Sequence, residues 1–174
     1  IKKTYVKLKD DLYKRIMDLY STWCPKCKAA ATIICAIWRE GAERPFELRL
    51  YCPECKKRYV RRPSREDLHK LREIERRRIP YWYPNPRLYY NAKPFMKKEK
   101  SESLSDLFTK RNLIALSILY NGICGIENEL MRDLFKFRFT SMVHLASKLT
   151  PVRPTRPFSS FWPVHSYWVP PVNM

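Results

Sequence analysis

Two Cys-Pro-X-Cys runs are the residues best suited to chemistry in this sequence. Cys24-Pro25-Lys26-Cys27 and Cys52-Pro53-Glu54-Cys55 each hold two thiols separated by two residues. Such a pair can bind one ion when the backbone between the thiols makes a tight turn, and a proline after the first cysteine presets φ for that turn. We therefore predict one zinc ion bound by Cys24, Cys27, Cys52 and Cys55. Four thiolates leave no coordination position open for substrate or water, so this zinc is expected to be structural.

Two other uses of these cysteines remain open, namely a pair of disulfides or a redox-active dithiol. Both depend on the compartment. Residues 1–20 are charged throughout and show no signal peptide, which favours a reducing, cytoplasmic location. A redox dithiol would normally use one Cys-X-X-Cys near a βαβ pattern rather than a matched pair. Cys35 and Cys124 lack partners at ligand spacing and lie in apolar runs, so we expect both to be buried as small hydrophobic residues.

The segment between the two runs predicts the element that brings them together. Residues 32–38 are mostly apolar, and residues 46–51 alternate between apolar and polar. Glu40-Gly41-Ala42 lies between them and is typical of a turn. A β-hairpin over 28–51 would fold the second cysteine pair back beside the first. This arrangement is the zinc-ribbon pattern.

The charge of the chain indicates a polyanionic partner. Its 35 Lys and Arg residues against 17 Asp and Glu residues give a formal net charge of +18, more than solubility requires. Nucleic acid, with DNA first, is favoured because 8 Phe, 5 Trp and 11 Tyr accompany the charge. A membrane surface is a weaker candidate, and no apolar run is long enough to span a bilayer. With only three glycines, no glycine-rich nucleotide loop can be written.

The basic charge is concentrated after the second cysteine pair. Ser64 and Asp67 predict the start of a helix that runs to Arg78, with Pro80 as its stop. The aromatic loop that follows could stack on bases or cover the protein's own core. A solvated helix face is the alternative use of the charges. We take the candidate nucleic-acid contacts to be Lys56, Lys57, Arg58, Arg61, Arg62, Arg65, Arg72, Arg76, Arg77, Arg78, Tyr81, Trp82 and Tyr83.

The predicted fold class is α+β, a small zinc-ribbon β-hairpin module attached to a helical region with an irregular tail rich in proline and aromatic residues. In the helical region, Ser105-Asp106 or Thr109 begins a buried helix that Gly122 ends, and a second helix over about 127–137 extends the same core. His144 is expected to pack rather than to bind a metal. The predicted parts are an N-terminal helix (1–22, amphipathic from Asp10), the zinc ribbon (23–62), the basic helix and aromatic loop (63–102), the helical core (103–150) and the extended tail (151–174).

The order of these parts resembles a known family. A zinc ribbon is followed by Trp82-Tyr83-Pro84, by Leu107-Phe108-Thr109-Lys110-Arg111-Asn112-Leu113 and by His165-Ser166-Tyr167-Trp168-Val169-Pro170-Pro171. Together these runs resemble the central region of archaeal and bacterial DNA methyltransferases that modify amino groups, adenine N6 or cytosine N4, and carry an inserted zinc ribbon. The resemblance implies a DNA-binding, target-recognition portion of a longer enzyme, lying between its cofactor loop and its catalytic motif.

The same resemblance implies that the chemistry lies elsewhere. Such enzymes use S-adenosylmethionine, held by a glycine-containing loop, and an Asp/Asn-Pro-Pro-Tyr/Phe motif that orients the target amine. Pro170-Pro171 is preceded by Val169 and followed by Val172, so it offers no such acceptor. No catalytic or cofactor-binding residue is therefore assigned, and S-adenosylmethionine is expected only with a catalytic domain in the same or a partner chain. A stand-alone zinc-ribbon module that binds RNA or the ribosome, and a protein-interaction scaffold, are the alternatives.

Overall fold

The alternating apolar residues of the ribbon form an antiparallel sheet. In a computed structural model that describes residues 2–39, 41–90, 93–94, 102–150 and 172–173, four strands lie in the order β1-β2-β3-β4. They are β1 (Ser21–Trp23), β2 (Ala30–Arg39), β3 (Glu47–Cys52) and β4 (Lys57–Arg61). The predicted hairpin is confirmed as β2 and β3, and the α+β class with it. The sequence pattern did not indicate that the outer strands β1 and β4 would pair with this hairpin.

The register of the sheet sorts side chains onto two faces. Tyr51 lies opposite Thr32 and Arg58, and Leu50 lies opposite Ile33 and Tyr59. Because cross-strand partners share a face, one face carries the set around Leu50, and the other carries the exposed side chains of Tyr51 and Arg58. We call these the inner face and the outer face. The inner face holds Ala31, Ile33, Leu48, Leu50 and Cys52, which pack in one cluster with Cys24.

A β-bulge interrupts this order in the middle of β2. Ile33 pairs with Leu50, but Cys35 pairs with Arg49, so Ile34 is an extra residue on β2. Beyond the bulge, Ala36 lies opposite Leu48 and therefore joins the inner face. Buried residues thus still alternate with more exposed ones along β2, but beyond the bulge they lie on the other face of the sheet.

Helix α2 (Arg65–Arg76) begins with the predicted cap. Ser64 accepts a hydrogen bond from the amide of Asp67, and the Asp67 carboxylate accepts one from the amide of Ser64, which is a complete capping box. The helix ends at Arg76 and not at Arg78, because Arg77 is already extended. Leu71 and Ile74 are the buried apolar residues of this helix.

Two further helices pack closely through a glycine. Helix α1 (Lys2–Leu19) lies within the range predicted for the N-terminal helix (1–22), and helix α3 (Lys110–Cys124) begins after Thr109, whose hydroxyl accepts a hydrogen bond from the amide of Asn112. Gly122 lies inside α3 and is not its C-cap. A Cβ on Gly122 would lie 2.5 Å from Leu12 Cδ1, so the missing side chain permits the approach of the two helices. Gly125 caps α3 instead.

The last helix differs from the prediction. Helix α4 (Glu129–Val143) contains no fully buried residue, but the ring of its Phe139 lies 5.4 Å from that of Tyr120 on α3. Val143 and the residues after it, Ala146 and Leu149, pack on a separate small cluster around Leu107 and Phe108. Cys124 at the end of α3 is exposed, contrary to the prediction, whereas Cys35 is buried.

Short elements complete the described part of the chain. They are β5 (Tyr89–Tyr90), β6 (Lys93–Pro94), β7 (Val172–Asn173) and 3₁₀ turns over 104–107 and 144–146. His144 caps α4 at its C-terminal end. Of the predicted tail, β7 pairs with Trp38 and Arg39 of β2, and residues 151–171 lie outside the described ranges.

Candidate metal centre and basic surface

The four predicted cysteines converge at one end of the sheet. Cys24 Sγ lies 3.9 Å from Cys55 Sγ, and Cys27 Sγ lies 3.6 Å from Cys52 Sγ. All four sulfur atoms are within 4.8 Å of one another. A tetrahedral zinc with Zn–S bonds of about 2.3 Å requires sulfur–sulfur separations of about 3.8 Å. The cluster could therefore hold a metal ion such as zinc.

The same geometry argues against disulfides. A disulfide needs its two sulfurs about 2.05 Å apart, and all six cysteines are free thiols. The four clustered thiols also come from two different turns rather than from one Cys-X-X-Cys at a helix. The donor set, the distances and the closed arrangement fit a structural tetrahedral site.

The two cysteine turns are built alike. The amide of Lys28 donates to the carbonyl of Cys24, and the amide of Cys55 donates to Cys52 Sγ. The residue after each turn, Lys28 or Lys56, has a positive φ of 60° or 51°. In each turn the first cysteine is buried and the second lies nearer to solvent. This repeated local geometry brings four thiols from two distant segments to one point.

The thiols of the cluster do not ionise independently. Burial opposes ionisation of Cys24, but the backbone amides of Cys27 and Lys26 and the thiols of Cys27 and Cys52 lower its pKa to about 6. The amide of Ala29 favours the Cys27 thiolate, yet Cys55, burial, Cys24 and Cys52 outweigh it and raise the pKa of Cys27 to about 12. One thiolate therefore forms readily and disfavours another beside it. A bound cation removes this repulsion.

Tyr59 lies beside the cluster. Its phenol oxygen is buried, and within the described ranges it has no hydrogen-bond partner. Proximity to the side chain of Cys55, followed by burial, raises its pKa, so the phenol remains protonated. A protonated phenol next to a metal-bound thiolate can support that ligand.

Most of the basic residues predicted to contact nucleic acid are exposed, but the side chain of Arg61 is already bound within the protein. Arg61 Nη1 lies 2.5 Å from Asp67 Oδ2, and Nη2 donates to Thr22 Oγ1 at 2.7 Å. Thr22 in turn donates to Asp67 Oδ1 at 2.6 Å. Arg61 thus joins β1, β4 and α2 beneath the inner face. The exposed members of the set are Lys56, Lys57, Arg58, Arg62, Arg65, Arg72, Arg76, Arg77 and Arg78.

The three aromatic candidates differ in their surroundings. Tyr81 packs on the core between α1, α2 and α3, and its hydroxyl accepts a hydrogen bond from Arg15 at 2.9 Å. Tyr83 is half-buried. Trp82 is 67% exposed, with its ring 5.8 Å from that of Tyr120. Only Trp82 presents most of its ring to solvent.

Two exposed aromatics on the strands of the sheet were absent from the predicted contacts. Trp23 on β1 is 60% exposed and Tyr51 on β3 is 40% exposed. The register places Trp23 opposite Ala30 and Tyr51 opposite Arg58, all on the outer face. The alternation of β3 held the signal for Tyr51, because Leu50 and Cys52 on either side point inward.

Comparisons with known proteins identify no relative. No family model, no curated protein and no solved structure matches this chain. Among the helices of the described ranges, none has the length and apolar character needed to cross a membrane.

Proposed function

We propose that the outer face of the sheet, together with the exposed side of α2, binds nucleic acid, and that the chain is the target-recognition portion of an amino-group DNA methyltransferase. The observation that carries the binding proposal is the pairing of Tyr51 with Arg58 on a solvent-exposed sheet face. Stacking rings beside cations suit both bases and phosphates. The cysteine cluster fixes this sheet and thereby aims the basic residues that follow it.

Exposed cations near β4 and on α2 supply positive charge for such binding. Lys56, Lys57 and Arg58 lie at the start of β4, and Arg65, Arg72 and Arg76 are exposed on α2. Arg61 between them is neutralised by Asp67, which joins β4 to α2. Within the described ranges, none of the other cations in this set forms an ion pair with a buried carboxylate. They are therefore suited to contact phosphates.

The salt dependence of binding tests the proposal. The affinity for a labelled DNA duplex is measured by fluorescence anisotropy over a salt series. Each phosphate contact contributes a slope of about −0.9 in log affinity against log salt. The variant Arg58→Gln/Arg72→Gln/Arg76→Gln should have a slope shallower by up to about 3 × 0.9. A salt-independent affinity, or no binding at low salt, would contradict the proposal.

A matched control separates this surface from the overall charge. Lys9, Lys14 and Arg138 are exposed on α1 and α4, and their replacement by Gln removes the same charge. The control variant should retain the wild-type slope. Equal changes in both triple variants would mean that binding follows net charge alone. Metal content and melting temperature verify that both variants fold.

Aromatic stacking is tested separately. Tyr51→Ala or Trp23→Ala should weaken binding to single-stranded DNA by about 1–3 kcal/mol for each stacked base. Phe137→Ala serves as the control, because the side chain of Phe137 is also exposed to solvent but lies on α4. If the three variants bind alike, the outer face does not stack on bases.

The methyltransferase part of the proposal rests on the resemblance of the three sequence runs. A methyltransferase extrudes its target base from the duplex, so a separate surface that holds the distorted DNA is physically reasonable. S-adenosylmethionine and the amine-binding motif would belong to a catalytic domain in the same or a partner chain. The sequences encoded on either side provide the test: a glycine loop upstream and an Asp-Pro-Pro-Tyr run downstream are expected. Finding neither would leave a stand-alone binding module.

RNA binding is the second candidate, favoured by the exposed aromatics on a sheet face. Single-stranded RNA is commonly read by such surfaces, where rings stack on unpaired bases. Competition between duplex DNA and structured RNA at fixed salt distinguishes the two functions. A clear preference for RNA would reverse the ranking.

A further inference from the structure

Arg111 is a buried cation for which the described part of the chain supplies no ion-pair partner. The residue is only 7% exposed, and its Nε has no hydrogen-bond partner within the described part of the chain. Its one close interaction is with the ring of Tyr20, whose centroid lies 5.7 Å from Cζ. Arginine carries five N–H donors and stays protonated in proteins. Burying one of these donors, the Nε–H, without a partner is costly.

The nearest carboxylates do not relieve this charge. Asp67 and Glu75 stabilise the Arg111 cation only over a distance, and burial outweighs them and lowers the pKa of Arg111. Asp67 is itself paired with Arg61. Glu75 is exposed on α2. An additional anion at Arg111 would neutralise the charge that these carboxylates leave uncompensated.

Arg111 lines a small pocket between the sheet and α3. The pocket has a volume of about 90 Å³. The bulged segment of β2 and Trp38 form one side of the pocket. Thr109, Arg111 and Asn112 at the start of α3 form another side, and Tyr20 also lines the pocket. The positive end of the dipole of a 15-residue helix therefore borders the pocket. Helix start and guanidinium both favour negative charge in the same small space.

We propose that this pocket binds a phosphate-sized oxyanion through the guanidinium of Arg111. The planar fork of arginine matches the oxygens of phosphate. The pocket equals roughly three water volumes of about 30 Å³ each, which admits one phosphate group but not a nucleotide base. The site uses none of Trp23, Tyr51 and Arg58, the residues named for nucleic-acid binding, so it can be tested separately from that proposal. Its phosphate could be free or the terminal phosphate of a nucleic acid.

Thermal unfolding in inorganic phosphate, with ionic strength held constant by chloride, tests the site. A ligand that binds only the folded state raises the melting temperature by mass action. The wild-type protein should show a saturable rise with phosphate concentration, and Arg111→Met should show none. Without phosphate, Arg111→Met should melt at or above the wild-type temperature, because it removes an unpaired buried charge. A merely structural Arg111 would give the opposite result.

The control and a second variant keep the test decisive. Arg138→Met removes the same charge from an exposed position on α4 and should retain the wild-type response. Arg111→Lys keeps the charge but loses the fork, so half-saturation should need at least about tenfold more phosphate, and this variant serves if Arg111→Met fails to fold. An identical response of wild type and the Arg111 variants, or loss of the response in Arg138→Met, would overturn the proposal.

Competition identifies the source of the phosphate. A short oligonucleotide with a 5′-phosphate is compared with the same oligonucleotide ending in a 5′-hydroxyl, each against inorganic phosphate. If only the phosphorylated form competes in wild type and not in Arg111→Lys, the pocket takes a terminal nucleic-acid phosphate. If neither competes while phosphate still binds, the pocket takes free phosphate. Equal competition by both forms would place nucleic-acid binding elsewhere and contradict a terminal-phosphate source.

Discussion

The ribbon sheet and the α1–α3 helix pair are stabilised in different ways. The inner face of the sheet buries a small cluster, and two of its members, Cys24 and Cys52, are themselves candidate metal ligands. The helix pair packs through a cluster of aliphatic side chains, among them Leu12, Ile114 and Ile118. The cysteines therefore form part of the packing of the sheet, whereas the cluster of the helix pair is built from other side chains. A small core requires a cross-link or a metal to persist.

Tyr20 connects the two regions. It packs against both apolar clusters, and its hydroxyl donates to Asn112 Oδ1 at 2.8 Å. Burial raises the pKa of Tyr20 to about 12, so the hydroxyl remains a donor at neutral pH. The capping network of Asp67 is a second connection, since it links the sheet to α2. Substitutions that destabilise one region and spare the other can therefore measure how independently the two regions fold.

Removal of one cysteine ligand should have the largest effect. Cys52→Ser should abolish metal binding and unfold the sheet, because structural zinc sites contribute on the order of 10 kcal/mol to folding in small modules. Metal content by elemental analysis and near-ultraviolet circular dichroism give the readout. Far-ultraviolet helical signal should fall much less, since α1 and α3 pack without the cluster.

Cys124→Ser is the matched control for that variant. Cys124 is exposed at the end of α3 and is not among the four clustered cysteines. It should leave both metal content and stability unchanged. If Cys52→Ser retains metal and sheet, the cysteines do not form a structural metal site.

Disruption of the junction at Asp67 should come next. Asp67→Asn leaves Arg61 without its buried partner and should cost about 3 kcal/mol in the free energy of unfolding. Burial opposes ionisation of Asp67, but Arg61, Thr22 and the Ser64 amide lower its pKa below the ordinary value of 3.8. The stabilisation is therefore fully present above about pH 4–5 and disappears as the pH falls through the lowered pKa.

Denaturant unfolding of wild type and Asp67→Asn at a series of pH values checks this sign. The difference between the two proteins should shrink in acid, and using the difference removes the separate effect of protonating the cysteines. Arg49→Gln is a suitable control, because Arg49 forms a half-buried pair with Glu47 on the outer face and its loss should cost under about 1 kcal/mol. A difference between wild type and Asp67→Asn that stays constant from neutral pH to acid would contradict the assignment.

Crowding of the helix pair should have a smaller effect. Gly122→Val inserts a branched side chain where even a Cβ meets Leu12, and overpacking of this kind costs about 1–3 kcal/mol. Gly125→Ala is the control, because its nearest atoms lie 3.5 Å and 3.8 Å away, in ordinary contact. Thermal melts of the two variants give the comparison. A stability equal to wild type in Gly122→Val would show that α1 and α3 can separate at no cost.

Local chemistry made part of this fold predictable from the sequence. Cysteine spacing predicted the cluster, because thiol geometry depends only on the two turns and on the hairpin between them. The Ser64–Asp67 cap of α2 was predictable for the same reason. Each of these features is decided within a few residues or by a strong alternation pattern.

Features that depend on distant partners were not predictable. Gly122 carries the signal of a helix end, but its role is set by Leu12, which lies far away in the sequence. Lys57–Arg61 is rich in charge and becomes a strand only because β3 offers a free edge. The ion pair of Arg61 likewise depends on which face of β4 carries its side chain, and the burial of Arg111 depends on how α3 packs. Charge alone predicted that Arg61 contacts nucleic acid, but its side chain is paired with Asp67.

The smallest predicted effect compares the two cysteine turns with each other. Lys28 and Lys56 hold the left-handed conformation that costs a residue with a side chain roughly 1 kcal/mol, and glycine avoids this strain. Lys28→Gly and Lys56→Gly should each raise the free energy of unfolding by about 0.5–1 kcal/mol. Lys26→Gly, within the first turn, should instead be neutral or destabilising, because Lys26 does not share the positive φ. Equal gains at positions 28 and 56 would show that the two turns carry the same strain, and a loss at either would mean that its lysine side chain makes a stabilising contact that outweighs the backbone conformation.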